Sequence, residues 1–180
     1  AGFFACVLQK SSSLDLASSP PPAHDMGKAG FFQLSASVTR QFCGSFTETY
    51  GFELADYMEH NKRVLVRRAE KIFLFPLQLL TRFYGLPVQS AGMLLGEQMP
   101  DGFMPAHDWI SRFGRDCQRN VVVLDQESAA SWLSGENLDN SLSGVEITKY
   151  QVILNEDRLG LGCGKVTGKG LKNLLPRRLL

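Results

Sequence analysis

Between Gly160 and Leu180 the chain reads GLGCGKVTGKGLKNLLPRRLL, with five glycines, five Lys or Arg and no acid. No other stretch limits the fold as strongly. Glycines this dense disfavour a helix and permit positive φ and close backbone approach. The stretch therefore reads as strands and turns. Its cations have no acid neighbour to pair with, so they attract an anion. The expectation is a strand and turn that lie against a polyanion, RNA foremost.

Register excludes a phosphate loop here. That loop needs Gly, four residues, then Gly-Lys-Ser/Thr. For Gly164-Lys165 the two outer positions are Leu159 and Val166, and for Gly168-Lys169 they are Cys163 and Gly170. The dinucleotide fingerprint fails at Thr167, where a third glycine belongs. The glycines are then turn and packing devices, and the uncompensated charge carries the functional signal.

The formal net charge is only +1, but it is unevenly spread. From Arg158 onward there are six basic residues and no acids, whereas eleven acids lie between Glu97 and Asp157. A near-neutral total thus hides a basic C-terminal face. The four cysteines, Cys6, Cys43, Cys117 and Cys163, are never within four residues of one another, which excludes paired zinc-ligand spacing and argues against a disulfide framework. Free thiols in a reducing cytoplasm are expected. No apolar run approaches the roughly 20 residues of a membrane span. Gly2 to Leu8 lacks a preceding basic region, so it does not read as a signal peptide.

Along the chain, Ala1 to Lys10 reads as a short buried-type strand with no nearby partner. Ser11 to Gly30, with Pro20-Pro21-Pro22, reads as a linker. Ser35 or Ser37 can cap a helix to Tyr50, with Gly51 past its end and Val38, Phe42 and Phe46 on its apolar face. A second helix is expected over Glu53 to Glu59, burying Leu54 and either Tyr57 or Met58. Val64–Val66 and Ile72–Phe75 flank a polar turn and read as a hairpin. It carries Lys62, Arg63, Arg67, Arg68 and Lys71 against a single Glu70, which suits either a charged protected edge or an auxiliary RNA contact.

A helical turn is expected after Pro76, then one or two short strands over Gly85 to Gln98. Met99-Pro100-Asp101-Gly102 is a turn and the expected subdomain boundary. Pro105 suits the first position of a helix to Phe113, stopped by Gly114. His107 near its start reads as a cap or surface residue, since no Ser or Cys is arranged with it. Asn120–Leu124 reads as a strand, Gln126–Leu133 as a helix capped by Asp125, and Val145–Leu154, Leu159–Val166 and Leu171–Asn173 as strands joined by turns. The expected class is α+β: a small α/β subdomain followed by a small barrel.

The order of segments resembles a known family. Gly2-Phe3-Phe4-Ala5 with Leu8-Gln9-Lys10 resembles the last core strand of the NOL1/NOP2/Sun RNA 5-cytosine methyltransferases. Ile72-Phe73-Leu74-Phe75-Pro76, Gly85-Leu86-Pro87, Leu94-Leu95-Gly96-Glu97 and Trp132-Leu133-Ser134-Gly135-Glu136 resemble the C-terminal half of its RsmF (YebU-like) branch. Gly160-Leu161-Gly162, Gly164-Lys165, Leu171-Lys172-Asn173 and Pro176-Arg177 resemble that branch's PUA-like RNA-binding domain.

The resemblance implies residues 1–30 as the end of a core strand plus linker, 31–99 as a first C-terminal domain, and 100–180 as a PUA-like β-barrel domain. It implies ribosomal RNA as partner, a cytoplasmic monomer, and S-adenosylmethionine for a methyltransferase core outside this chain. The family's Pro-Cys and Thr-Cys dipeptides do not occur, because the four cysteines follow Ala5, Phe42, Asp116 and Gly162. The cofactor's glycine loop is missing as well. No catalytic residue and no bound cofactor or metal is therefore expected, and the chain is expected to be inactive alone. The expected RNA-binding residues are Gly162, Gly164, Lys165, Lys169, Lys172, Asn173, Arg177 and Arg178, with Arg63, Arg67 and Arg68 as auxiliary contacts. The alternative is a structural module that packs on the catalytic core or a ribosomal protein.

Overall fold

The computed structural model describes residues 30–81, 91–139 and 148–176. The first strand and linker of the sequence reading, together with Gly85-Leu86-Pro87, Arg177 and Arg178, lie outside them.

Helix α1 (Ala36–Tyr50) begins where Ser35 accepts a hydrogen bond from the Val38 N–H. It ends at Gly51 in the left-handed region, φ 66°, whose N–H bonds to the Thr47 carbonyl. Cys43, Phe46 and Tyr50 form its buried stripe. Val38, expected on that stripe, is 47% exposed, because it borders an open surface cleft with Gln41, Gln98 and Phe103. Helix α2 (Leu54–His60) buries Leu54 and Met58, the second of the two alternatives.

Strands β1 (Phe32–Gln33), β2 (Arg63–Arg68), β3 (Lys71–Pro76), β4 (Met93–Met99) and β5 (Gly102–Pro105) form an antiparallel sheet in that order. A short helix, α3 (Leu77–Thr81), follows β3. The turn at Pro100-Asp101 joins β4 to β5 as a hairpin. Pro105 closes β5 instead of opening the next helix. It sits on an edge strand, where a missing N–H costs no ladder bond. Ala106 takes the cap position of helix α4 (His107–Phe113). The helix ends at Phe113 with Gly114 as its C-cap, as expected, although Gly114 stays right-handed and opens a 3-10 turn, Gly114–Asp116.

The second sheet has the order β6 (Val121–Leu124), β7 (Tyr150–Asn155), β8 (Gly160–Thr167) and β9 (Gly170–Asn173). Strands β6 and β7 are parallel, and the other pairs antiparallel. Between β6 and β7 runs α5 (Gln126–Leu133), capped by Asp125, whose carboxylate accepts from the Ser128 N–H at 2.8 Å. The α+β class is as expected. The barrel is not closed among the described residues: the strands form two open sheets, and β9 has beyond it only the Leu138–Leu171 bridge.

One core joins the two sheets. Phe46, Tyr50, Leu65, Leu74 and Leu95 from the first half pack with Trp109, Ile110, Val152, Leu154 and Cys163. Trp109 is fully buried, and the Phe46 ring meets it edge-on at 5.0 Å. Helix α4 is thus the wedge between the layers. The outer face of the first sheet carries a smaller cluster of Phe31, Val66, Phe73 and Phe75, and that of the second carries Val122, Leu124, Trp132, Ile153 and Leu171. Asn120, at φ 51°, ties the halves together. Its Nδ2 donates to the Thr49 carbonyl at 2.5 Å, and its Oδ1 accepts from the Thr148 N–H and from Gln151 Nε2.

Candidate nucleic-acid interface

Pairing in the second sheet decides which basic residues meet. Lys165 on β8 lies opposite Tyr150 on β7 and Lys172 on β9. Directly paired residues project from the same face, so the three side chains form one row. Lys169 is exposed in the turn from β8 to β9. Lys149, just before β7, joins the same end of the sheet.

Asp101 organises this row from the β4–β5 turn. Its Oδ2 lies 2.8 Å from Lys165 Nζ and 2.8 Å from Lys149 Nζ, and its Oδ1 accepts from the Tyr150 hydroxyl at 2.6 Å. Lys165 also reaches the Tyr150 hydroxyl at 3.3 Å. The Lys149 and Lys165 ammonium groups, Lys149 foremost, hold the Asp101 carboxyl far below the usual carboxylate range. Asp101 in turn raises the Lys165 ammonium above its ordinary range. Burial, then the bond to Asp101, raises the Tyr150 hydroxyl. The cluster is therefore charged at neutral pH, with two cations converging on one carboxylate oxygen.

The glycines of the predicted site are structural. Gly162 has φ 132°, and a Cβ there would lie 2.7 Å from Leu175 Cδ2. At Gly164 it would meet Leu171 at 2.8 Å. Asn173 is engaged within the fold. Its Nδ2 donates to the carbonyls of Trp132 and Glu136, and its Oδ1 accepts from the Leu175 N–H. What remains at the surface is Lys165, Lys169 and Lys172, with Lys149 added. Sequence reading missed Lys149, Tyr150 and Asp101. The one available signal was Lys149-Tyr150 standing just before an apolar run.

The three auxiliary arginines do not form one cluster. Arg63 and Arg67 stand on one face of β2 at its two ends, whereas Arg68 stands on the other. Arg67 Nε donates to the Ala69 carbonyl, and the Arg68 guanidinium lies 5.0 Å from the Phe31 ring centre. The β2–β3 turn does open at the same end of the first sheet as the β4–β5 turn, since Lys71 pairs with Glu97 and the Gln98 N–H bonds to the Glu70 carbonyl. Arg67 and Arg68 thus share an end of the molecule with Asp101, about three strand spacings or ~14 Å away from it across the sheet.

None of the described cysteines is arranged for nucleophilic chemistry. Burial pushes the Cys117 and Cys163 thiols up to about 12 and raises that of Cys43. Among the described residues no group of three or more His, Cys, Asp or Glu could hold a metal, and no helix is long and apolar enough to cross a membrane.

Residues 119–180 match the family described as the methyltransferase RsmF PUA domain. This part of the chain is an RsmF-type PUA domain. The whole chain is also similar to proteins named ribosomal RNA small subunit methyltransferase F. It is 26% identical over 179 residues to the one from Enterobacter sp. strain 638, covering 99% of this chain and 35% of that protein. To the one from Aeromonas salmonicida it is 28% identical over 183 residues, with the same coverage. The chain thus spans about a third of the length of these curated relatives. A hypothetical protein from the hyperthermophilic archaeon Pyrococcus horikoshii has a similar fold: TM-score 0.51 at 12% identity, over 83% of this chain and 97% of that one. The PUA match begins at Arg119, after Asp101 and α4. Lys149 and Lys165 of the matched segment are therefore held by a residue that precedes it.

Proposed function

We propose that this chain is the RNA-binding C-terminal part of an RsmF-like rRNA (cytosine-5) methyltransferase, acting in the cytoplasm as a monomer. It holds ribosomal RNA for a catalytic core supplied by other residues, and S-adenosylmethionine belongs to that core. The observation that carries this reading is the pairing of Lys165 and Lys172 on one face of the PUA sheet, with Lys149 drawn beside them by Asp101 and Lys169 in the adjoining turn. Phosphates bind such a row by releasing counterions. Arg67 and Arg68 extend the footprint as auxiliary contacts at the same end, while Gly162, Gly164 and Asn173 act by shaping the hairpin. Similarity to the methyltransferase F proteins supports ribosomal RNA as the polyanion.

Titration of an rRNA stem-loop at several salt concentrations tests the reading. About four phosphate contacts give a log–log salt slope near −3, between the single-strand and duplex values. Changing Lys165, Lys169 and Lys172 together to Glu abolishes binding; the Lys169→Glu, Lys172→Glu double variant, which leaves the Asp101 ion pairs in place, weakens binding and keeps the melting temperature close to that of the parent. A flat salt dependence, or full affinity in the triple variant, removes the proposal.

A further inference from the structure

A cavity of about 150 Å³ opens between β4, the start of α4 and the end of β9. Met104, Leu174 and Pro176 give it apolar walls, while Glu97, His107 and Asp108 bring polar groups to it. Cys163, which also lines it, stands two residues, about 7 Å, along β8 from Lys165, and Leu174, just past the end of β9, is two residues from Lys172. A base attached to a backbone held by those lysines therefore has the cavity within reach.

The polar groups of the cavity differ in kind from the lysine row beside it. Glu97 is held by Lys71 at 3.2 Å and is still 30% exposed, and Asp108 lies in the first turn of α4. A carboxylate has more acceptor positions than one ion pair uses, so Glu97 can also accept a hydrogen bond from an exocyclic amino group. The cavity's volume matches that of one that admits a single benzene-sized ring, about 150 Å³, which suits a pyrimidine and is too small for the two rings of a purine.

We propose that this cavity is a nucleobase-reading site that takes a single unstacked cytosine, its amino group bonded to Glu97, beside the lysine row. The inference rests on the RNA-binding reading and deepens it. Uracil presents a carbonyl where cytosine presents the amino group, so it meets the Glu97 carboxylate with repulsion.

The test uses the full 180-residue chain and oligoadenosine nonamers whose central position is cytidine, uridine or abasic, followed by fluorescence anisotropy. The cytidine RNA binds about tenfold tighter than the other two. Glu97→Gln brings cytidine and uridine within about twofold while retaining the salt-dependent affinity for the abasic RNA. Ala106→Leu, which fills the cavity from the cap position of α4, abolishes the preference for cytidine by a route that leaves Glu97 in place. Equal, salt-dependent affinity for all three RNAs in the parent protein overturns the base site and leaves the RNA-binding reading standing. Absence of binding to any RNA at low salt overturns both.

Discussion

Lys165 Nζ and Asp101 Oδ2 stand 2.8 Å apart although 64 residues separate them in sequence. The basic tail is thus free of acids along the chain but not in space. Asp101 partly neutralises Lys149 and Lys165 and holds both ammonium groups at one point. An ammonium has three donors; Lys165 uses two of them on Asp101 and the Tyr150 hydroxyl, and Lys149 uses one on Asp101.

Asp101→Asn removes the negative charge and keeps an oxygen for the lysines. RNA affinity rises several-fold at low salt, and the log–log salt slope steepens by about 0.7 to 0.9, the value of one further effective cation. Anisotropy titrations from low to moderate salt check this. A loss of affinity in a variant whose circular dichroism at the assay temperature matches that of the parent would show that orientation by the carboxylate outweighs its charge.

The same carboxylate gives stability a defined pH dependence. Its folded pKa lies below the unfolded value of about 3.9, so its stabilising contribution is complete above that value and is lost as pH falls toward the folded pKa. Melting curves of the parent and Asp101→Asn therefore differ at about pH 6 and converge on acidification below about pH 4. A constant difference down to about pH 2 contradicts the ion-pair assignment. Asp125, lowered by its bond to the Ser128 N–H, titrates alike in both proteins and cancels in the comparison.

Asn120→Ala removes the bonds to the Thr49 carbonyl, the Thr148 N–H and Gln151 Nε2 at a part-buried position, so it costs about 2 to 3 kcal/mol in urea unfolding. Asn120→Gly suits the positive φ but restores none of the bonds, so it recovers only a fraction of the loss. Full recovery in the glycine variant would assign the residue a backbone role alone.

Gly162→Ala costs about 2 kcal/mol, because the backbone at φ 132° is nearly closed to other residues and the new methyl meets Leu175. Gly164→Ala costs less, about 1 kcal/mol, because its backbone is ordinary and the Leu171 side chain can move. Equilibrium unfolding of the two variants ranks them. The reverse order contradicts the structural role given to Gly162.

Local features were legible in the sequence. The Ser35 and Asp125 caps, Gly51, and both hairpins of the chain's two halves depend on neighbours a few residues apart, and the structure has them where the residues indicate. Pro105 was misplaced because a proline suits an edge strand as well as a helix start, and only pairing with Gly96 decides between them. Val38 follows the helical period, yet it stays exposed at the rim of an open cleft, which the period alone does not show. The Asp101 cluster and the parallel β6–β7 pair arise from contacts that span dozens of residues, which no local spacing encodes. The site was legible as a sign of charge, whereas its geometry had to come from the fold.

The shared core around Trp109 bears on how such a segment can be moved between proteins. Residues 119–180 carry the family's sequence signature, but Tyr150, Val152, Leu154 and Cys163 present their inner face to α4 and to the first sheet. A graft cut at Arg119 would take the recognition strands and leave their floor behind, exposing a broad oily surface and two lysines without their anchor. The transplantable unit is larger than the recognisable one and has to include the β4–β5 hairpin and α4.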